Sequence, residues 1–376
     1  MKFFNLVISV LFTGMVFYCS DDVTSSNDNK TNRTNDLLAD SLATTETVNL
    51  YRNLKDGISN GVLFGQQDAV AYGIGWWAES GRSDIKSVCG DYPAVYGWDL
   101  GDVGQTKNLD GVSFSDMKYW IKEIYARGGV NTISMHLDNP VTGGDAWDNS
   151  SAVPSILPGQ SHHNSYLQTL DKIAAFLKDL KTSGGTYIPI IFRPYHEHNH
   201  TWSWWGSSAC TADEYNALWK MTVDYLKDTH NIHHLIYTIS PQEIQSQAEY
   251  LERYPGDDYV DVLGLDYYRL WDVAYVPELG TTLSLIASLA ESKGKISALT
   301  EVGLENPYEN WWTDFLLPAL KYNAQSKKTA WSLIWRNAGT DHHFGPYPGH
   351  RSANNFVTFF NDPLTIFQND LPALYK

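Results

Sequence analysis

From residue 48 onward, eight short apolar runs alternate with longer segments of helical character, and this alternation restricts the fold more than any other feature of the chain. The runs are Val62–Gln66, Ala94–Asp99, Thr132–His136, Tyr187–Pro194, His234–Ser240, Val260–Tyr268, Ile296–Glu301 and Ala330–Arg336. The helical stretches include Phe114–Arg127, Ser165–Thr182, Ala212–Asp228, Thr282–Ser292 and Trp311–Ala324. Strands separated by helices pair in parallel, and eight such units without a break in composition predict an α/β chain folded as a single (β/α)8 TIM barrel with extended βα loops. A doubly wound open sheet is the alternative. It fits less well because no run is followed by a Gly-rich phosphate turn; Gly73-Ile74-Gly75 leads into Trp76-Trp77 instead of a dinucleotide helix.

Barrel active sites collect at the C-terminal ends of the strands, and here those ends are polar. Asp99 closes the second run and His136 the third. Arg193, His196 and Glu197 stand at the end of the fourth, Asp266 and Tyr268 at that of the sixth, Glu301 at that of the seventh, and Trp335 with Arg336 at that of the eighth. The fourth is the densest, an apolar run from Ile188 that ends in a carboxylate flanked by imidazoles, a guanidinium and three indoles. Glu197 is therefore the expected acid/base. Strand ends four and seven face each other across one barrel mouth, so Glu301 can oppose it. Two carboxylates about 5 to 5.5 Å apart give retaining hydrolysis of a glycosidic bond, one attacking the anomeric carbon and the other protonating the leaving oxygen. Mutual repulsion and partial burial keep one of them protonated near neutral pH.

The same segment matches a rival motif, since His196-Glu197-His198-Asn199-His200 satisfies the H-E-x-x-H pattern of zinc peptidases. That chemistry needs both histidines on one helical face. Pro194 moves Arg193 away from the α region, the preceding residues are strand-like, and no apolar helical stripe continues through Thr201 to Trp205, so a helix is not expected. No metal and no cofactor are assigned, and the histidine pairs 162–163, 233–234 and 342–343 are read as polar loop residues.

The 14 Trp and 23 Tyr residues suit a planar ligand such as a sugar ring, whose C–H face stacks on indole. The roles of Trp76, Trp77, Trp98, Trp147, Trp204, Trp205 and Trp271 stay open, between stacking on a sugar and core packing, and some of them do no more than pack. A net charge of −16 with no basic run argues against nucleic acid as a partner. At the N-terminus, Lys2 precedes an apolar stretch from Phe3 to Tyr18, too short to span a bilayer comfortably and right for a signal-peptide core. Cys19 follows, resembling the acceptor cysteine of bacterial lipoproteins, and Ser20-Asp21-Asp22 resembles a cell-surface export signal of Bacteroides-like bacteria. The expected organisation is a signal peptide with its lipidated cysteine over 1–19, a flexible linker over 20–47 and a catalytic barrel over 48–376. The expected location is the outer membrane, cell-surface exposed, with a periplasmic or secreted enzyme as the alternative. Cys89 and Cys210 either pair or remain free thiols.

Arg193-Pro-Tyr-His-Glu197, Asn199, Trp202-Ser-Trp-Trp-Gly206, Leu265-Asp-Tyr-Tyr268, Thr300-Glu-Val-Gly303 and Trp335-Arg-Asn337 together resemble glycoside hydrolase family 26, the β-mannanases, in order from about residue 48 to 370. The resemblance implies an eight-stranded barrel with Glu197 as acid/base and Glu301 as nucleophile. It also implies that His196 contacts the sugar next to the scissile bond, that Tyr268 orients the nucleophile, and that Trp202 and Trp335 floor mannosyl rings. His136 lines the glycone side, Arg193 belongs to the substrate site, and Arg336 reaches a more distant glycone sugar. The expected activity is endo-β-1,4-mannanase on mannan, galactomannan or glucomannan by a monomer. The alternatives are mixed-linkage β-glucanase, β-1,3-xylanase and a non-catalytic surface glycan-binding lipoprotein.

Overall fold

The computed structural model describes residues 38–376; the proposed signal segment, Cys19 and the linker up to residue 37 lie outside the described residues. All eight expected strands form: β1 (Val62–Gln67), β2 (Val95–Asp99), β3 (Val130–Ser134), β4 (Ile190–Arg193), β5 (Leu235–Ile239), β6 (Val262–Tyr267), β7 (Ile296–Val302) and β8 (Thr329–Ile334). Each pairs in parallel with its neighbour, and β8 pairs with β1 from Leu63↔Trp331 to Gln66↔Ile334. That closure decides against the open sheet. The fourth strand is shorter than the expected Tyr187–Pro194 because Pro189 and Pro194 bracket it, and proline has no N–H to give a ladder.

The period-two alternation of each strand sorts its side chains into two layers. Leu63, Val95, Val130, Ile191, Ile236, Val262, Ile296 and Trp331, one from each strand, cluster together inside the barrel. Their sequence neighbours Phe64, Tyr96, Ile190, Leu235 and Leu263, and Leu299 further along β7, join the larger cluster beneath the helices. That outer layer is covered by helices including α2 (Asp84–Cys89), α3 (Phe114–Ala126), α4 (His163–Lys178), α5 (Ala212–Asp224), α6 (Gln247–Glu252) and α7 (Val276–Ser292), whereas α1 (Thr45–Gly57) packs Val48, Leu50, Tyr51 and Leu54 against the interior cluster. A reciprocal capping box between Thr211 and Glu214 starts α5. α7 begins six residues before the expected Thr282, with Pro277 in its first turn, where a missing N–H costs nothing. The expected helix over 311–324 is shorter, a π turn at Trp312–Leu316 running into Leu317–Leu320.

Two expectations need correction, and one open alternative is decided. The fold begins before the end of the expected linker, since residues 38–47 belong to it. Leu38 is buried, the Ala39 N–H donates to Asp261 Oδ1 at 2.6 Å, Asp40 pairs with His233 at 2.8 Å, and Thr44 caps α1. A polar composition reads as tether when its polar groups are in fact caps and partners. His234 and His343 are buried rather than loop surface; His234 stacks on Tyr187 with centroids 4.8 Å apart and hydrogen-bonds the Leu177 carbonyl. Cys89 and Cys210 are free thiols, Cys210 lying against Arg253.

Candidate active site

The inward alternation that builds the barrel interior continues to the strand ends, where it changes from apolar to polar. Asp99 and Ser134 close β2 and β3, Arg193 closes β4, Ser240 follows β5, and Asp266 lies near the end of β6. Glu301 needs an additional device. Along β7, Ile296 and Ala298 belong to the interior cluster and Leu299 to the outer one, so simple alternation turns residue 301 outward. A register shift between the pairs Leu265↔Leu299 and Asp266↔Glu301 inserts one extra residue in β7 and brings Glu301 beside Asp266. Bulges at barrel rims commonly re-aim a side chain in this way.

Arg193 is the hub. Its Nη1 donates to Asp266 Oδ2 at 2.8 Å and to Ser240 Oγ at 3.0 Å, and its Nη2 donates to Glu301 Oε1. Tyr268 donates its hydroxyl to Glu301 Oε2 at 2.7 Å. Both carboxylate oxygens thus accept from fixed donors, which presents Glu301 in a single orientation. Burial opposes the guanidinium charge, but Asp266 and Glu301 outweigh it and hold Arg193 firmly cationic. Asp266 is pushed up to about 7, chiefly by burial, against the pull of Arg193.

Glu197 sits in the turn after β4 with a left-handed backbone at φ 53°, next but one to Tyr195 at φ 49°. Residues 196–199 form turn, not helix, so His196 and His200 are not presented on a helical face and the zinc-peptidase geometry is missing. Trp202 Nε1 donates to Glu197 Oε2 at 2.6 Å. Burial, then the charges of Asp266 and Glu301, push the Glu197 carboxyl well above the usual range, with Trp202 and Arg193 opposing. One guanidinium does not balance three nearby carboxyls, and Glu197, which Arg193 does not directly contact, is the one favoured to keep its proton.

His136 is fixed through its Nδ1, 2.8 Å from Asp99 Oδ2, while its backbone N–H donates to Asp99 Oδ1 at 3.0 Å. Burial lowers its basicity, but the Asp99 carboxylate outweighs burial and raises it. His196, with burial and the Arg193 charge acting together, is held neutral. Its Nε2 lies 4.0 Å from Glu301 Oε1 and its ring 4.6 Å from that of His136. Trp202 lies 5.7 Å from both imidazoles, and Trp335 lies 6.1 Å from His136. The structure therefore brings His136, Arg193, His196, Glu197, Trp202, Tyr268, Glu301 and Trp335 together. Arg336 stands apart, paired with Asp110 at 2.6 Å and with the Tyr72 hydroxyl at 3.3 Å, its side chain 24% exposed. Asp68, Tyr72 and Asp110 around it carried no sequence signal of their own.

Trp147 is one of the indoles whose role the sequence leaves open. It is 53% exposed and stacks on His136 at 5.3 Å and 17°. The loop after β3 carries it there. Asn139 ties that loop internally, and Asn149 and Ser151 bond the carbonyls of Thr201 and Ala209 in the β4 loop. By contrast Trp98, Trp204 and Trp205 are wholly buried and pack the core. Among the described residues, no group of three or more His, Cys, Asp or Glu side chains is arranged to hold a metal ion. What the arrangement offers is a carboxyl group fixed at both oxygens, a second carboxyl pushed toward its acid form beside an indole N–H, and an aromatic floor.

The model for glycosyl hydrolase family 26 matches residues 39–335. A mannan endo-1,4-β-mannosidase of Bifidobacterium adolescentis is 35% identical over 348 residues, covering 86% of this chain but only 34% of that longer protein. One from Bacillus subtilis is 30% identical over 311 residues, covering 78% of this chain and 80% of its own length. The solved structure of a family 26 β-mannanase from Bacteroides ovatus superposes with a TM-score of 0.85 at 44% identity, covering 89% of this chain and 98% of that one.

Proposed function

Because this chain belongs to glycosyl hydrolase family 26, we propose that it is a retaining endo-β-1,4-mannanase acting on mannan, galactomannan or glucomannan. The observation that carries the reading is the unequal treatment of two glutamates at one barrel mouth. Glu301 is gripped at both oxygens by Arg193 and Tyr268, and Glu197 is pushed toward its acid form.

A Glu301 oxygen attacks the anomeric carbon while Glu197 gives its proton to the glycosidic oxygen; the C1–O bond breaks and the leaving sugar departs with that proton. A glycosyl ester on Glu301 remains. Glu197, now a carboxylate, takes a proton from water as the water oxygen attacks C1, and the ester bond breaks to release Glu301. Two displacements at C1 restore the β configuration. Trp147, Trp202 and Trp335 supply apolar faces for the sugar rings, and neutral His196 supplies a hydrogen-bonding group beside the nucleophile.

Product analysis on mannohexaose, with galactomannan, lichenan and β-1,3-xylan in parallel, tests the substrate. Cleavage of internal mannosidic bonds is expected, and exclusive turnover of lichenan or xylan would replace the assignment. A pure glycan-binding protein would retain polymer without releasing reducing ends.

The Lys2 to Tyr18 segment, Cys19 and Ser20-Asp21-Asp22 support a lipoprotein anchored in the outer membrane and facing the cell exterior. Incorporation of labelled palmitate that disappears in Cys19→Ala, with protease accessibility on intact cells, tests this. Label retained in the variant excludes Cys19 as the acceptor.

A further inference from the structure

We propose that Asn199 is a positioning residue that holds Glu197 at its working distance from the nucleophile, an inference resting on the assignment of Glu197 as proton donor. The turn after β4 contains two left-handed residues that are not glycine, Tyr195 at φ 49° and Glu197 at φ 53°. Such a turn persists only where its surroundings over-determine it. Much of its fastening is local to the β4 loop and its helix: the Tyr195 carbonyl accepts from Tyr215 Oη at 3.1 Å, the His196 carbonyl from Trp205 Nε1 at 2.8 Å, and the Asn199 carbonyl from Ser207 Oγ at 2.9 Å. These bonds fix the shape of the turn without fixing its place relative to Glu301.

Placement comes from the next wall of the barrel. The Glu197 N–H donates to the Ser240 carbonyl at 2.7 Å. Asn199 then makes a two-way clamp on a single residue, its Nδ2 donating to the Gln242 carbonyl at 2.7 Å and its Oδ1 accepting from the Gln242 N–H at 2.8 Å. A carboxamide carries its donor and its acceptor on separate atoms and so matches this pair of backbone groups; a carboxylate lacks the donor, an alkyl group lacks both, and a hydroxyl offers both only from a single atom. The clamped segment is itself joined to the nucleophile's support. Gln242 bridges Asp266 in parallel, the Asp266 N–H donates to the Pro241 carbonyl, the Glu243 N–H donates to the Asp266 carbonyl, and Ser240 Oγ donates to Asp266 Oδ2 at 3.0 Å. Asp266 in turn holds Arg193, which holds Glu301. A continuous hydrogen-bonded path thus runs from the proton donor's turn through Asn199 to the nucleophile, and it sets the gap in which one glycosidic bond must fit. An error of about 1 Å at such a gap costs on the order of 100-fold in rate.

The signature that separates positioning from general damage is dependence on the leaving group. A glycosidic oxygen of an unactivated mannoside needs the proton from Glu197, whereas dinitrophenolate leaves without one. kcat/KM, which reports formation of the glycosyl ester, is measured for Asn199→Ala on mannotetraose and on dinitrophenyl β-mannobioside. A loss of roughly 10- to 100-fold is expected on mannotetraose and under about 3-fold on the dinitrophenyl substrate, as befits part of a general-acid contribution. Asn199→Asp keeps the volume and the acceptor but turns an oxygen against the Gln242 carbonyl in place of the donor, and should show the same discrimination; it also serves if the alanine variant does not fold. Equal losses on both substrates in Asn199→Asp, or no loss on either, overturn the proposal. Glu197→Ala is the reference. If it shows no leaving-group dependence, the assignment of Glu197 itself fails. If it shows strong dependence and the Asn199 variants show none, only the positioning role fails.

Discussion

The Tyr268 hydroxyl donates to Glu301 Oε2 at 2.7 Å, opposite the oxygen that Arg193 grips. Removing that hydroxyl leaves Glu301 in place but frees it to rotate about the remaining contact. Tyr268→Phe is therefore expected to lower kcat on galactomannan by about 100-fold, the lower end of the range for loss of one preorganised donor. The melting temperature should change little. Unchanged kcat would show that Arg193 alone orients the carboxylate.

Arg193 has a different role, because it is the positive charge directly bonded to Asp266 and Glu301. Arg193→Met would leave both carboxyls buried without it. Loss of one partner from a buried ionic cluster costs about 3 to 5 kcal/mol, so the denaturation midpoint should fall along with activity. Chemical denaturation at neutral pH checks this, and a variant as stable as the parent would contradict the hub role.

The raised Glu197 carboxyl gives the pH profile its sign. The first displacement needs the acid form, so kcat/KM should fall as pH rises through the Glu197 pKa. Trp202 Nε1 donates to the charged form and thereby lowers that pKa. Trp202→Phe should accordingly move the basic limb to higher pH while reducing the maximum. A pH series of kcat/KM for both proteins decides it, and movement of the limb to lower pH would contradict the assignment of the donor.

Trp147 should bind without stabilising the fold, because it is 53% exposed and stacks on His136 from the cleft side. Loss of an aromatic platform worth about 1 kcal/mol raises KM roughly fivefold. Trp147→Ala is expected to show that rise on mannan with an unaltered melting temperature. An unchanged KM would place the indole outside the sugar path.

Both glutamates and all eight strands were legible in the sequence because each strand is an apolar run of fixed phase that ends in a polar residue. What the sequence hid has physical causes. The inward aim of Glu301 depends on an extra residue between Leu299 and Glu301 that pairing reveals and composition does not. Trp147 lies in an irregular loop whose course is set by Asn139, Asn149 and Ser151 side chains bonding distant carbonyls, which no periodicity reports. Asp68 and Asp110 come to Arg336 from separate loops. Residues 38–47 looked like tether because the value of Asp40 and Thr44 lies in partners far along the chain.

The central claim is that Glu301 forms a covalent bond to C1 and Glu197 serves both halves of the reaction. The anomer released first from a reduced manno-oligosaccharide, followed by proton NMR before mutarotation, tests it most directly. The two-glutamate account predicts that the β-anomer appears first and that the α-anomer grows in only with mutarotation. Initial release of the α-anomer would mean a single displacement by water and would contradict it.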